Sequence, residues 1–168
     1  AGAWKSVPKI YDVNGKMLKS GSDYEKGMTY VYAKNTVLVD GTVRKAGEEI
    51  GTKDIVPAGT LLRIIITGTG KYEGMAIAEY RMVQQSIAKA KVKIPAQIYT
   101  GKEIKLDKNV ISVTCGKQKL LNTDYEITGY QKNIAKGTAK VTIKGMGNYG
   151  GTKTVTFKIQ SKKFSWWR

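Results

Sequence analysis

The chain has 168 residues, 41% of them apolar, which is room for one large domain or two small ones with a buried core. Its 29 Lys and Arg outweigh 13 Asp and Glu, a formal charge of +16 that draws polyanions. Histidine is absent, which removes the usual general base, the Ser–His and Cys–His nucleophile pairs and the commonest metal ligand.

The first landmarks are Gly15-Lys16 and then Ser22-Asp23-Tyr24-Glu25. Thr29-Tyr30-Val31-Tyr32-Ala33 and Thr36-Val37-Leu38-Val39 are β-branched and aromatic, and Asp40-Gly41 reads as a hairpin turn. Leu61 to Ile66 is a further β-rich run, closed by Gly68-Thr69-Gly70-Lys71-Tyr72-Glu73-Gly74. Met75 to Ala88 is helix-compatible, but its counterpart later in the chain is a strand. We therefore read its first part as a strand and Gln84-Gln85-Ser86 as a linker. Lys89, Lys91 and Lys93 alternate in a strand-like run, which sets them on one solvated sheet face. That face reads either as solubility and edge protection or as a contact for an anionic partner.

Val110-Ile111-Ser112-Val113-Thr114-Cys115 is strand-like, and its lone cysteine reads as a small packed residue, with no internal disulfide open to it. Ala139 to Lys144 and Lys153 to Ile159 alternate apolar and polar residues, the pattern of half-buried strands. The chain closes on Lys162-Lys163 and Trp166-Trp167-Arg168. This basic aromatic tail offers rings and cations to a sugar, a membrane interface or single-stranded nucleic acid. The competing reading packs a Trp on the domain edge. No apolar run is long enough to cross a bilayer as a helix.

The chain repeats itself. Gly68 to Gly74 returns as Gly145-Met146-Gly147-Asn148-Tyr149-Gly150-Gly151, and Gly15-Lys16 with Asp23-Tyr24-Glu25 returns as Gly116-Lys117 with Asp124-Tyr125-Glu126. Front anchors lie 101 residues apart (Gly15 to Gly116) and rear anchors 77 (Gly68 to Gly145), so 24 additional residues lie inside the first copy, between Glu25 and Pro57. The strand signals there predict an added β-hairpin. Ala90 to Leu106 has no counterpart before Lys9, so the first copy reads as cut short at its N-terminus. With an Ala1-Gly2 start, an excised piece of a longer protein is expected.

Gly145 to Gly150 formally fits G-x-G-x-x-G, but dinucleotide binding requires that pattern to open a helix, and Thr152-Lys153-Thr154-Val155-Thr156 reads as a strand. The glycines instead suit positive φ in a turn. Glu48-Glu49, Asp23/Glu25 and Asp124/Glu126 are the local carboxylate pairs, and the recurrence of Asp-Tyr-Glu assigns it to structure: Asp caps a turn and Tyr packs inward. No D-x-D-x-D-G calcium loop is present.

Tyr99-Thr100-Gly101-Lys102, Gly116-Lys117, Leu120, Thr123-Asp124-Tyr125-Glu126, Asn133 and Gly137 through Thr152, with Phe157-Lys158-Ile159, together resemble the bacterial Ig-like, MBG-type repeats found in tandem in surface and secreted proteins of Firmicutes. The likeness covers residues 90–160 and, in the first copy, only the ends. It implies an extracellular all-β stalk, spacer or adhesive module, with no catalytic residue to carry over.

The expected fold is therefore all-β: two tandem Ig-like β-sandwich repeats at 1–84 and 85–168, the first with an insertion at about 27–56. The expected role is non-catalytic, at a cell surface or secreted, with no cofactor or metal. Expected partners are cell-wall polymer or glycan and the parent protein's other domains, without specific nucleic-acid binding. An alternative is a carbohydrate- or polyanion-binding module using exposed Tyr, Trp and Lys. Candidate ligand contacts are Trp166, Trp167, Arg168, Lys162 and Lys163.

Overall fold

Leu62, Ile64 and Ile66 alternate with Leu61, Arg63, Ile65 and Thr67, and the two-residue period of a strand sorts the two sets onto opposite faces. The first set is buried, and each such side chain contributes about 2 kcal/mol of transfer free energy. The structure is a computed structural model that describes residues 5–162. Among them the regular elements are β-strands and one short 3-10 turn at Lys108–Val110. The chain divides into two compact units, Ala1–Val83 and Gln84–Arg168.

Unit 1 holds β1 (Thr29–Tyr32), β2 (Thr36–Val37), β3 (Val43–Arg44), β4 (Leu61–Thr67) and β5 (Met75–Arg81). Its main sheet is antiparallel in the order β1-β4-β5, with Tyr30 opposite Ile64 and Ile65 opposite Ile77. β2 and β3 form a separate hairpin. Asp40-Gly41 makes its turn, as its sequence predicts. Gly41 takes φ +85° and the Thr42 N–H donates to Asp40 Oδ1 at 3.0 Å. The core gathers Tyr24, Tyr30, Tyr32, Leu38, Ile50, Val56 and the inward face of β4.

Unit 2 holds β6 (Gln85–Ser86), β7 (Lys91–Lys93), β8 (Gln97–Ile98), β9 (Ser112–Cys115), β10 (Gln118–Lys119), β11 (Tyr125–Gln131), β12 (Gly137–Gly145), β13 (Tyr149–Gly150) and β14 (Thr152–Gln160). One sheet runs β11-β12-β14-β8, its last pair parallel, and a second runs β10-β9-β7. Ile87, Val113, Tyr125, Val141, Ile143 and Phe157 form the buried centre of this unit. Gln85–Ser86, expected as a linker, is instead the strand β6. It pairs in parallel with Tyr149–Gly150, because the Gln85 N–H and the Ile87 N–H find carbonyls at Asn148 and Gly150. The segment Met75–Arg81 is a strand, so period-two neighbours override its helix-compatible composition.

Two ladder pairs recur in the two units. Tyr24 bridges Gly68 in unit 1, and Tyr125 stands opposite Gly145 in unit 2. Four residues back along the partner strand, Tyr30 faces Ile64 and Tyr130 faces Val141, the tyrosines being six residues apart in unit 1 and five in unit 2. The connection after β1 runs over 33–60, whereas that after β11 runs over 132–136.

Candidate functional site

The glycine motifs fold into strand-joining turns with the same hydrogen bonds. In unit 1 the Gly68 N–H donates to Gly74 O at 2.9 Å, Thr69 N–H to Asp23 O at 3.0 Å, and Tyr72 N–H to Thr69 O at 3.2 Å. In unit 2 the Gly145 N–H donates to Gly151 O at 2.9 Å, Met146 N–H to Asp124 O at 2.8 Å, and Tyr149 N–H to Met146 O at 3.0 Å. Gly70 and Gly147 adopt φ of +66° and +59°, the left-handed region that penalises a side chain. Gly145 is needed for a different reason: a Cβ there would sit 2.8 Å from the Gly150 nitrogen. A Cβ on Gly68 would likewise run into the Tyr72 carbonyl oxygen. A strand follows each turn, so no helix N-terminus stands behind these glycines.

Of the paired carboxylates, Asp23, Asp124 and Glu126 are engaged within the fold. Asp23 Oδ2 accepts the Lys19 N–H at 2.9 Å and Asp124 Oδ2 accepts the Leu121 N–H at 2.7 Å, while Tyr24 and Tyr125 are buried. Glu126 Oε1 lies 3.4 Å from the Lys144 ammonium. Cys115 is buried as expected, its thiol 3.5 Å from the Ser86 carbonyl oxygen.

Sequence reasoning missed a polar knot in the connection after β1. Asp54 is buried, yet its Oδ2 accepts from the Tyr32 hydroxyl at 2.8 Å and from the Gly51 N–H at 2.9 Å, and its Oδ1 meets Arg44 Nη2 at 2.6 Å. Burial opposes ionisation here, but the guanidinium, the hydroxyl and the backbone donor together hold the Asp54 carboxyl below its usual range. The same burial and the facing carboxylate push the Tyr32 hydroxyl pKa well up. A lone Asp followed by Ile55-Val56, three residues after a Gly, was the available signal.

The concave features are shallow. A groove of about 300 Å³ in unit 1 is lined by Ile10, Val13, Leu18, Tyr72 and Met75 among others. Beside it the Tyr72 hydroxyl donates to Asp12 Oδ2 at 3.2 Å. A hollow of about 450 Å³ in unit 2 is lined by residues 132–136 and Thr138. Next to that loop, the Lys136 ammonium lies 5.2 Å from the centroid of the Tyr99 ring.

Charge is distributed unequally. Of the 29 basic residues 17 fall in Gln84–Arg168, against only four of the 13 acidic ones. All four of those acids are engaged: Glu103 with Lys105, Glu126 with Lys144, Asp107 with the Asn109 N–H, and Asp124 with Leu121. A count of charge by half would have exposed this in the sequence. Among the predicted contact residues, Lys162 is exposed just beyond β14, whereas Lys163, Trp166, Trp167 and Arg168 lie outside the described residues.

Comparison with protein-family models, with curated proteins and with solved structures finds no match.

Proposed function

We propose that this chain is a non-catalytic module of a bacterial surface or secreted protein, built of two Ig-like repeats of the MBG type. It spaces or projects other domains and touches anionic wall polymer through unit 2. The observation that carries this reading is the recurring pairing: Tyr24 to Gly68 and Tyr125 to Gly145, each followed by a turn with matching hydrogen bonds. The glycine motifs and the Asp-Tyr-Glu recurrence fit that scaffold, which supports the reading. On this reading β1 is the counterpart of β11, because both place a tyrosine opposite an inward residue of the next long strand. The added segment then begins after Tyr32 rather than at residue 27, and the β2–β3 hairpin is its ordered part.

The charge asymmetry supports the contact with wall polymer. A second reading, a carbohydrate-binding module, is favoured by Tyr99, which is 41% exposed beside Lys136. The test is cosedimentation of the full chain with purified Gram-positive walls, before and after removal of their phosphate polymer, across a salt series. Binding that depends on the polymer supports the anionic contact. Equal binding to stripped walls supports the glycan reading. No binding to either at low salt leaves only a spacer.

A further inference from the structure

The geometry points to one face of unit 2, the outer side of the β10-β9-β7 sheet, as a docking surface for a flexible phosphodiester polymer. Residues opposite one another in a ladder share a face, and here Lys119 stands opposite Thr114, which stands opposite Lys91. Lys93 stands opposite Ser112 on the same side. The alternate residues Val92, Val113 and Cys115 point the other way, into the core or against it. Three exposed ammonium groups therefore surround two half-buried hydroxyls. Strand geometry sets Lys91 and Lys93 about 7 Å apart, and Lys91 and Lys119 about 10 Å apart across two strands.

Two features select the occupant. The described ion pairs of unit 2, Lys105–Glu103 and Lys144–Glu126, lie on other segments, and β7, β9 and β10 contain no Asp or Glu. The face thus complements a ligand that repeats its negative charge. The hydroxyls of Ser112 and Thr114 donate to phosphate oxygens between the cations. The face also carries no aromatic ring on which a base could stack, so a polyol phosphate fits better than single-stranded nucleic acid. This inference rests on the proposed anionic contact and names its site.

Titration of the full chain with purified poly(glycerol phosphate) tests it, with calorimetry at several salt concentrations. The variant K91Q/K93Q/K119Q is compared with K140Q/K144Q/K158Q, which removes the same charge from the outer face of the other sheet. All six lysines are exposed, and thermal melts check that both variants stay folded. We expect the first triple to weaken binding at least about tenfold at 0.15 M salt and to flatten the salt dependence by about two charges, and the second to change affinity less than about threefold. Equal losses in the two triples would overturn the site while leaving a diffuse anionic contact. Absence of binding by the unaltered chain would overturn both the site and the contact. Tighter binding of polyglutamate would overturn the phosphodiester assignment, and tighter binding of single-stranded DNA would overturn the choice of a polyol phosphate.

Discussion

The Tyr32 hydroxyl donates a 2.8 Å hydrogen bond to Asp54, and that bond ties the end of β1 to the far side of the long connection that follows it. Arg44, on β3, grips the other carboxylate oxygen. The end of β1, β3 and the backbone at Gly51 are thereby held by one side chain. Asp54→Ala strands a buried hydroxyl and a guanidinium, and we expect it to cost about 3 kcal/mol in urea unfolding. Tyr32→Phe removes one neutral donor and costs about 1 kcal/mol. An Asp54→Ala loss below that of Tyr32→Phe would show that the knot contributes no stability.

The same carboxylate sets a pH dependence. Its folded pKa lies below the unfolded one, so its contribution is complete above the unfolded carboxyl value, about 4, and disappears as pH falls through the folded value. Melting temperatures of the wild type and Asp54→Asn, measured from pH 6 to pH 2, should differ most above about pH 4 and draw together in acid. A gap that stays constant to pH 2 would assign the effect to shape rather than charge.

The glycine turns separate two kinds of requirement. Gly147 needs only a left-handed backbone, so Gly147→Ala should cost about 1 kcal/mol. Gly145 faces the backbone of residues 149–150 with no room for a methyl, so Gly145→Ala should cost about 3 kcal/mol and disturb the β12–β14 pairing. Denaturant midpoints rank the two. The reverse order would mean that the turn opens freely.

Legibility in the sequence followed the range of the interaction. Strict alternation in β12 and β14 declares a half-buried strand, because period two is a local property. Asp40-Gly41 declares its turn for the same reason. The strand at Gln85–Ser86 was illegible: its two polar residues are held by parallel pairing with a segment more than 60 residues away. Asp54 was hidden likewise, since its partners at 32 and 44 meet only once the connection has folded. The basic face was half legible. Lys-x-Lys gave Lys91 and Lys93, but Lys119 joins them only through its register with Thr114.

The outward row of β5 gives the last prediction. Met75 and Ile77 are 72% and 62% exposed, on the edge strand of the unit 1 sheet among the described residues. Their ladder partners, Thr67 and Ile65, are half-buried, while Ile64, the neighbour of Ile65 on β4, faces the core. Ile64→Ala should therefore cost about 3 kcal/mol through lost burial and a residual cavity. Ile77→Lys, on the solvated side, should stay within about 0.5 kcal/mol of wild type. Because an exposed apolar edge invites pairing between copies, the Lys variant should also raise the concentration at which the chain begins to self-associate. Light scattering against concentration and a denaturation curve read the two effects separately. A large stability loss for Ile77→Lys would place that side chain in a packed environment rather than on an open face.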